Sequence, residues 1–120
     1  MAVAPTRLGR APAEAVEYLE EVLGLSSKEL AYVMGTDPRT IDRWRKEESY
    51  PQREARGRLA DLVRLSQIIA EAFEDLQSAR EWLSTPSRYI GGLRPIEAIR
   101  ARRVDLAESA IGAMQAGVFI

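Results

Sequence analysis

SKELAYVMGTDPRTIDRWRK, residues 27–46, is the stretch whose spacing decides the fold. Counted from Ser27, Ala31 is fifth, Gly35 ninth, Ile41 fifteenth and Trp44 eighteenth. Two helices crossing at roughly 90–120° need a small residue where they touch, which Ala31 supplies. The turn between them needs a positive φ, which Gly35 adopts without steric cost. Leu30, Met34, Ile41 and Trp44 then meet in the angle and hold it, so Trp44 is expected in the core. The pattern is that of a helix-turn-helix. Its boundaries agree. Ser26 and Glu29 form a capping box that starts the first helix. Asp37 followed by Pro38 reads as an N-cap with proline at the first helical position. The second helix is expected to run from Pro38 to about Glu47, and no further than Tyr50, ahead of Pro51.

The composition removes several classes of function. The 120 residues include no cysteine and no histidine. Disulfides, imidazole or thiolate metal sites and Ser-His or Cys-His catalysis are therefore outside its chemistry. The carboxylates are scattered at helix-surface spacing, so neither catalysis nor a metal site nor a bound cofactor is expected. No apolar run reaches the 18 or so residues of a membrane span, and residues 1–15 lack the continuous apolar stretch of a secretory signal. A cytoplasmic protein is expected. The net charge of −1 is unevenly spread: residues 38–64 hold eight basic and five acidic groups, a balance of +3. That positive segment begins at the second motif helix, where contact with DNA phosphates requires it.

The rest of the chain reads as helix throughout, and the expected fold is all-α. A flexible arm over residues 1–11 precedes a helix that starts at Pro12 and ends at Gly24. A helix-turn-helix unit over residues 1–56 is expected to join a second unit over 57–120 through one long helix from about Arg53 to Leu83. Leu59, Leu62, Ser66, Ile69, Phe73, Leu76, Arg80 and Leu83 fall at alternating three- and four-residue steps along it, a heptad seam. A second row (Leu65, Ile68, Ala72, Ala79, Trp82) lies on another side, and two apolar faces point to a homodimer. Thr85-Pro86 breaks this helix. A loop with the Gly91-Gly92 pair follows, read as a tight turn and not a phosphate cradle. A short helix starts at Pro95, and a last one at about Val104. Residues 109–120, SAIGAMQAGVFI, carry no charge. Chain ends are normally polar and frayed, so an apolar one is expected to dock, on its own domain or on a partner.

The C-terminal stretch EWLSTPSRYIGGLRPIEAI resembles the toxin-binding domain of the Xre/MbcA/ParS antitoxins. The matching residues are Trp82, Leu83, Pro86, Ile90, Gly91, Gly92, Pro95, Ile96, Glu97 and Gly117. Ser87 stands where most of the family has asparagine, and Ala101-Arg102-Arg103 where it usually has a glycine before the last helix. The resemblance covers residues 60–120, behind a Cro-like helix-turn-helix, the family's usual order. It implies a type II antitoxin whose partner is a RES-domain, NAD-degrading toxin, blocked at its substrate cleft by the antitoxin's C-terminal region. Here that region maps to Arg100, Arg102, Arg103, Met114, Gly117, Val118, Phe119 and Ile120. Operator DNA would be read by Arg39, Thr40 and Arg43, with Lys28, Arg45 and Lys46 near phosphates. A regulator whose C-terminal part only dimerises would carry the same N-terminal signature.

Overall fold

The computed structural model describes residues 11–117. All but Ala11 of the expected arm at residues 1–11, and the last three residues of the apolar end, lie outside them. The described residues form seven α-helices and no strand: α1 (Pro12–Leu23), α2 (Ser27–Met34), α3 (Pro38–Arg45), α4 (Arg53–Glu71), α5 (Leu76–Leu83), α6 (Pro95–Arg100) and α7 (Val104–Gln115).

Local chemistry sets the ends of the two motif helices. At α2 the Ser26 hydroxyl accepts from the Glu29 N–H at 3.1 Å, and Glu29 Oε1 accepts from the Ser26 N–H at 3.0 Å, the reciprocal box expected from the sequence. Past its other end Gly35 takes φ +73°. The N–H groups of Gly35 and Thr36 return to the carbonyls of Tyr32 and Ala31, so the last turn of α2 is closed. Asp37 then caps α3, its carboxylate accepting from the Thr40 N–H at 2.8 Å. α3 stops two residues earlier than expected. Glu47 adopts φ +62° and the Glu48 N–H reaches back to the Arg43 carbonyl, so the same closing motif is made without a glycine.

One hydrophobic core runs through all seven helices. Leu19, Leu30, Met34, Ile41, Leu59, Ile69, Leu83 and Ile99 are each no more than 1% exposed, and Trp44 is 4% exposed. α1 packs on α3, α4 and α5, while α2 packs on α3, α4 and α6. α6 is thus seated directly on the first motif helix, and α7 packs on α6 and α4.

The single long helix expected over Arg53–Leu83 is two helices. α4 ends at Glu71, and Asp75 caps α5 by accepting from the Ser78 N–H at 2.8 Å. Asp favours such caps because its short side chain competes with the helical backbone for local hydrogen bonds. The bend brings Phe73 and Trp82 together, ring centroids 6.2 Å apart, and folds α5 onto α1 and α4. Both predicted rows are mostly covered within the chain as a result. Leu65 and Ala79 are buried, and Ile68, 37% exposed, is the part of the second row most open to a partner. Ser66 is wholly buried and its hydroxyl has no hydrogen-bond partner among the described residues. The glycine-pair loop contains a short 3-10 turn, Arg88–Ile90, closed by a bond from the Gly92 N–H to the Ser87 carbonyl at 2.8 Å.

Trp44 is the wedge between α3 and the rest of the core. Trp44→Ala should cost about 3–5 kcal/mol of folding stability, measured by urea denaturation. An unchanged midpoint and slope would remove Trp44 from the core.

Candidate functional site

α3 is amphipathic by its helical period. Ile41 and Trp44 face inward, while Arg39 and Arg43, four residues apart, share the outward face and are exposed. Thr40 is half-buried between them, and its N–H is used by Asp37. That bond holds the Asp37 carboxyl below its ordinary value, so the cap stays ionised. Lys28 is exposed at the start of α2. The side chains of Lys28, Arg39 and Arg43 make no hydrogen bond or ion pair among the described residues.

The other two predicted cations behave differently. Arg45 pairs with Glu20 of α1 and donates to the Ser27 hydroxyl at 3.0 Å, bracing α3 against both preceding helices. Lys46 pairs with Asp42 at 3.1 Å, and Arg45 approaches the same carboxylate at 3.6 Å. Asp42, the acid of α3, is thereby neutralised. Two further arginines with no partner among the described residues, Arg53 and Arg56 on the first turn of α4, were not singled out by the sequence. A signal was present, since both lie in the basic segment 38–64.

The C-terminal arginines reach back to α2. Arg100 Nε lies 3.1 Å from Glu29 Oε2. Glu29 therefore closes the N-terminus of α2 and holds α6 with the same carboxylate. Its pKa is lowered first by the bond from the Ser26 N–H, with the Arg100 charge adding to it. The Arg102 guanidinium sits over the Tyr32 ring, 5.6 Å from its centroid, and a Cβ at Gly35 would lie 3.2 Å from Arg102 Nη2. Tyr32, 58% exposed, is not among the residues that the sequence singles out on α2. Arg103 turns instead to Asp105, at 3.0 and 2.9 Å. Met114 is half-buried against the core, and Gly117 is exposed with φ +71°. Val118, Phe119 and Ile120 lie outside the described residues. No group of three or more acidic residues among the described residues is arranged to hold a metal. Nor is any helix there long and apolar enough to cross a membrane.

The arrangement, a cation-faced helix pair joined to a C-terminal helical unit that folds back on it, has close counterparts. The mycobacterial cidal antitoxin MbcA of Mycobacterium tuberculosis, and likewise that of Mycobacterium bovis, is 30% identical over 100 residues, spanning 83% of this chain and 88% of MbcA. This chain belongs to the MbcA antitoxin family. A chain in the crystal structure of the M. tuberculosis MbcT-MbcA toxin-antitoxin complex superposes with a TM-score of 0.65 at 28% identity, covering 92% of this chain and 99% of that one. At that coverage neither half of the fold is left out of the match. No protein-family model matches the sequence.

Against the family pattern, the turn before α7 is the informative departure. Arg102 holds φ +65°, the left-handed conformation a glycine adopts freely, and the Arg103 N–H closes α6 onto the Ala98 carbonyl at 2.8 Å. A left-handed backbone costs a side-chain-bearing residue about 1 kcal/mol or more, whereas an exposed cation–π contact returns about 0.5–1 kcal/mol. Arg102→Gly, which loses the stack but frees the backbone, should therefore be more stable than Arg102→Ala by about 1 kcal/mol. Equal stabilities of the two variants in chemical denaturation would show that the turn relaxes once the arginine is gone.

Proposed function

We propose that this chain is the antitoxin of a type II toxin-antitoxin pair that binds and neutralises a RES-domain, NAD-degrading toxin and represses its own operon. Family membership carries the reading: MbcA is an antitoxin crystallised with its toxin, MbcT, and the likeness spans both halves of this chain. The chain's role is binding and not catalysis, since it has neither histidine nor cysteine to serve as base or nucleophile.

For the toxin, the occluding segment is α7 and the chain end. Glu108 is the last charged side chain, and the sequence beyond it is small or apolar. Val118, Phe119 and Ile120 are the plug: buried aliphatic and aromatic anchors dominate interfaces of this kind. Arg100, Arg102 and Arg103 flank it. Their present contacts are exposed, and exposed ion pairs contribute only about 0–1 kcal/mol, so acidic groups on a partner compete for them at little cost. The test is co-expression with the adjacent gene, followed by co-purification and an assay of NAD consumption. A stable complex with suppressed NAD loss is expected, and deleting residues 118–120 should restore NAD loss while leaving folding intact. Full neutralisation by the truncated chain would overturn the plug. DNA binding without any toxin complex would favour a plain regulator.

For DNA, α3 enters the major groove with Arg39 and Arg43 at base edges, Thr40 between them and Lys28 at a flanking phosphate. Arg45 acts mainly by holding the reading helix in place, and Lys46 by neutralising Asp42. Arg43→Ala should cost about 1–3 kcal/mol on the operator and relax sequence preference. An equal loss on operator and scrambled duplex, in gel shifts at fixed salt, would make Arg43 a backbone contact instead.

A further inference from the structure

Partners for the cations divide the chain in two. From Arg58 onward every described arginine is engaged. Arg58 donates to the Met34 carbonyl, Arg64 pairs with Asp61, and Arg80 donates to the Glu21 carbonyl. Arg94, Arg100 and Arg103 pair with acids, Arg102 stacks on Tyr32, and Arg88 is also occupied. Before Arg58, five described cations make neither hydrogen bond nor ion pair among the described residues. Three are the residues assigned above to DNA, Lys28, Arg39 and Arg43. The other two, Arg53 and Arg56, lie three apart on α4 and share a face with Gly57 and, one turn on, Ala60.

Nothing in α4 itself favours that face. Cations in a first turn oppose the helix macrodipole. A glycine within a helix weakens it, and a Cβ at Gly57 would meet nothing within 4 Å, so internal packing does not demand glycine there. Of the neighbouring acids, Glu54 projects about 160° away from Arg56 around the helix, though it adjoins Gly57. Asp61 is held by Arg64 at 2.7 Å. The face thus combines two unengaged charges with room for a surface to come close.

We infer that Arg53, Arg56 and Gly57 form a second contact with DNA, gripping the phosphate backbone beside the groove that α3 reads. The inference rests on the DNA-binding reading of α3. Chain geometry permits it. α4 starts eight residues after α3 ends, which bounds the separation of Arg45 and Arg53 at about 29 Å, and the chain turns back at Glu47. Arginine to phosphate is charge-assisted and independent of sequence. This contact therefore adds affinity and salt dependence without adding base preference.

Fluorescence anisotropy with the full chain tests it, using the duplex upstream of the operon and a scrambled duplex across 50–200 mM salt. The double variant Arg53→Ala/Arg56→Ala should fold with an unchanged or higher Tm. It should lose affinity by the same factor on both duplexes, with a log–log salt slope shallower by about 2, roughly 0.9 for each phosphate released. Gly57→Gln should also weaken both duplexes equally, but keep a slope near that of the native chain. A native slope in the double variant, while the native chain prefers the operator, overturns this surface alone. Absence of binding by the native chain to either duplex overturns the α3 reading and this surface with it.

Discussion

α2 is eight residues long, and an isolated helix of that length does not persist in water. Its existence depends on burial of Leu30, Ala31, Val33 and Met34 against α3, α4 and α6. The rest of the molecule follows from that burial. α3 is aimed by the Gly35 turn and by Trp44 and Ile41, which pack in the same core, while α6 is also seated on α2. The helix pair proposed to read DNA and the C-terminal segment proposed to meet a toxin are therefore linked through one packed helix. A force that displaces α6 is felt by α2 through apolar contact first and through Glu29–Arg100 second. The ion pair adds direction more than energy, since both partners are substantially exposed.

The N-terminal half was legible in the sequence because its signals are local. Ser26, Glu29, Asp37, Pro38, Gly24 and Gly35 each act on a backbone a few residues away, and each stands where its chemistry predicts. The long helix failed for the opposite reason. Its heptad seam continues across residues 72–75, and no glycine or proline interrupts it. The break comes from Asp75, whose preference for capping overrides the period once α5 can bury Ala79 and Leu83 against the core. Periodicity records which residues want burial and says nothing about whether one straight helix or two bent ones provide it.

The basic stretch was legible in the sequence, but which of its charges are already paired was not. Arg45 and Lys46 are expected near phosphates. The Lys46–Asp42 pair, four residues apart, is legible as helix spacing. Arg45, however, is occupied by Glu20 and Ser27, contacts that a sequence does not display because Glu20 is 25 residues from Arg45. The same holds for Arg100 and Arg102, whose partners on α2 are about 70 residues distant. Charge density along the chain locates a basic surface. Which charges remain available depends on three-dimensional pairing, and that sorting brings Arg53 and Arg56 forward.

The arginines before α7 sharpen the point about availability. Arg102 occupies a backbone conformation that glycine adopts more cheaply, so its side chain must contribute something the turn does not need. Inside the chain it makes one stack on an exposed ring, a contact comparable in size to the strain it offsets. Arg100 is likewise shared between Glu29 and solvent. Side chains held this weakly keep the C-terminal unit registered on α2 while the chain is alone. They also cost little to release toward acidic or phosphate groups on a bound surface, because exposed pairs contribute only about 0–1 kcal/mol. A residue can therefore be an internal strut and a recognition group in turn, provided that its internal partner satisfies itself when released. Glu29 meets that condition, since its other oxygen still closes the cap of α2.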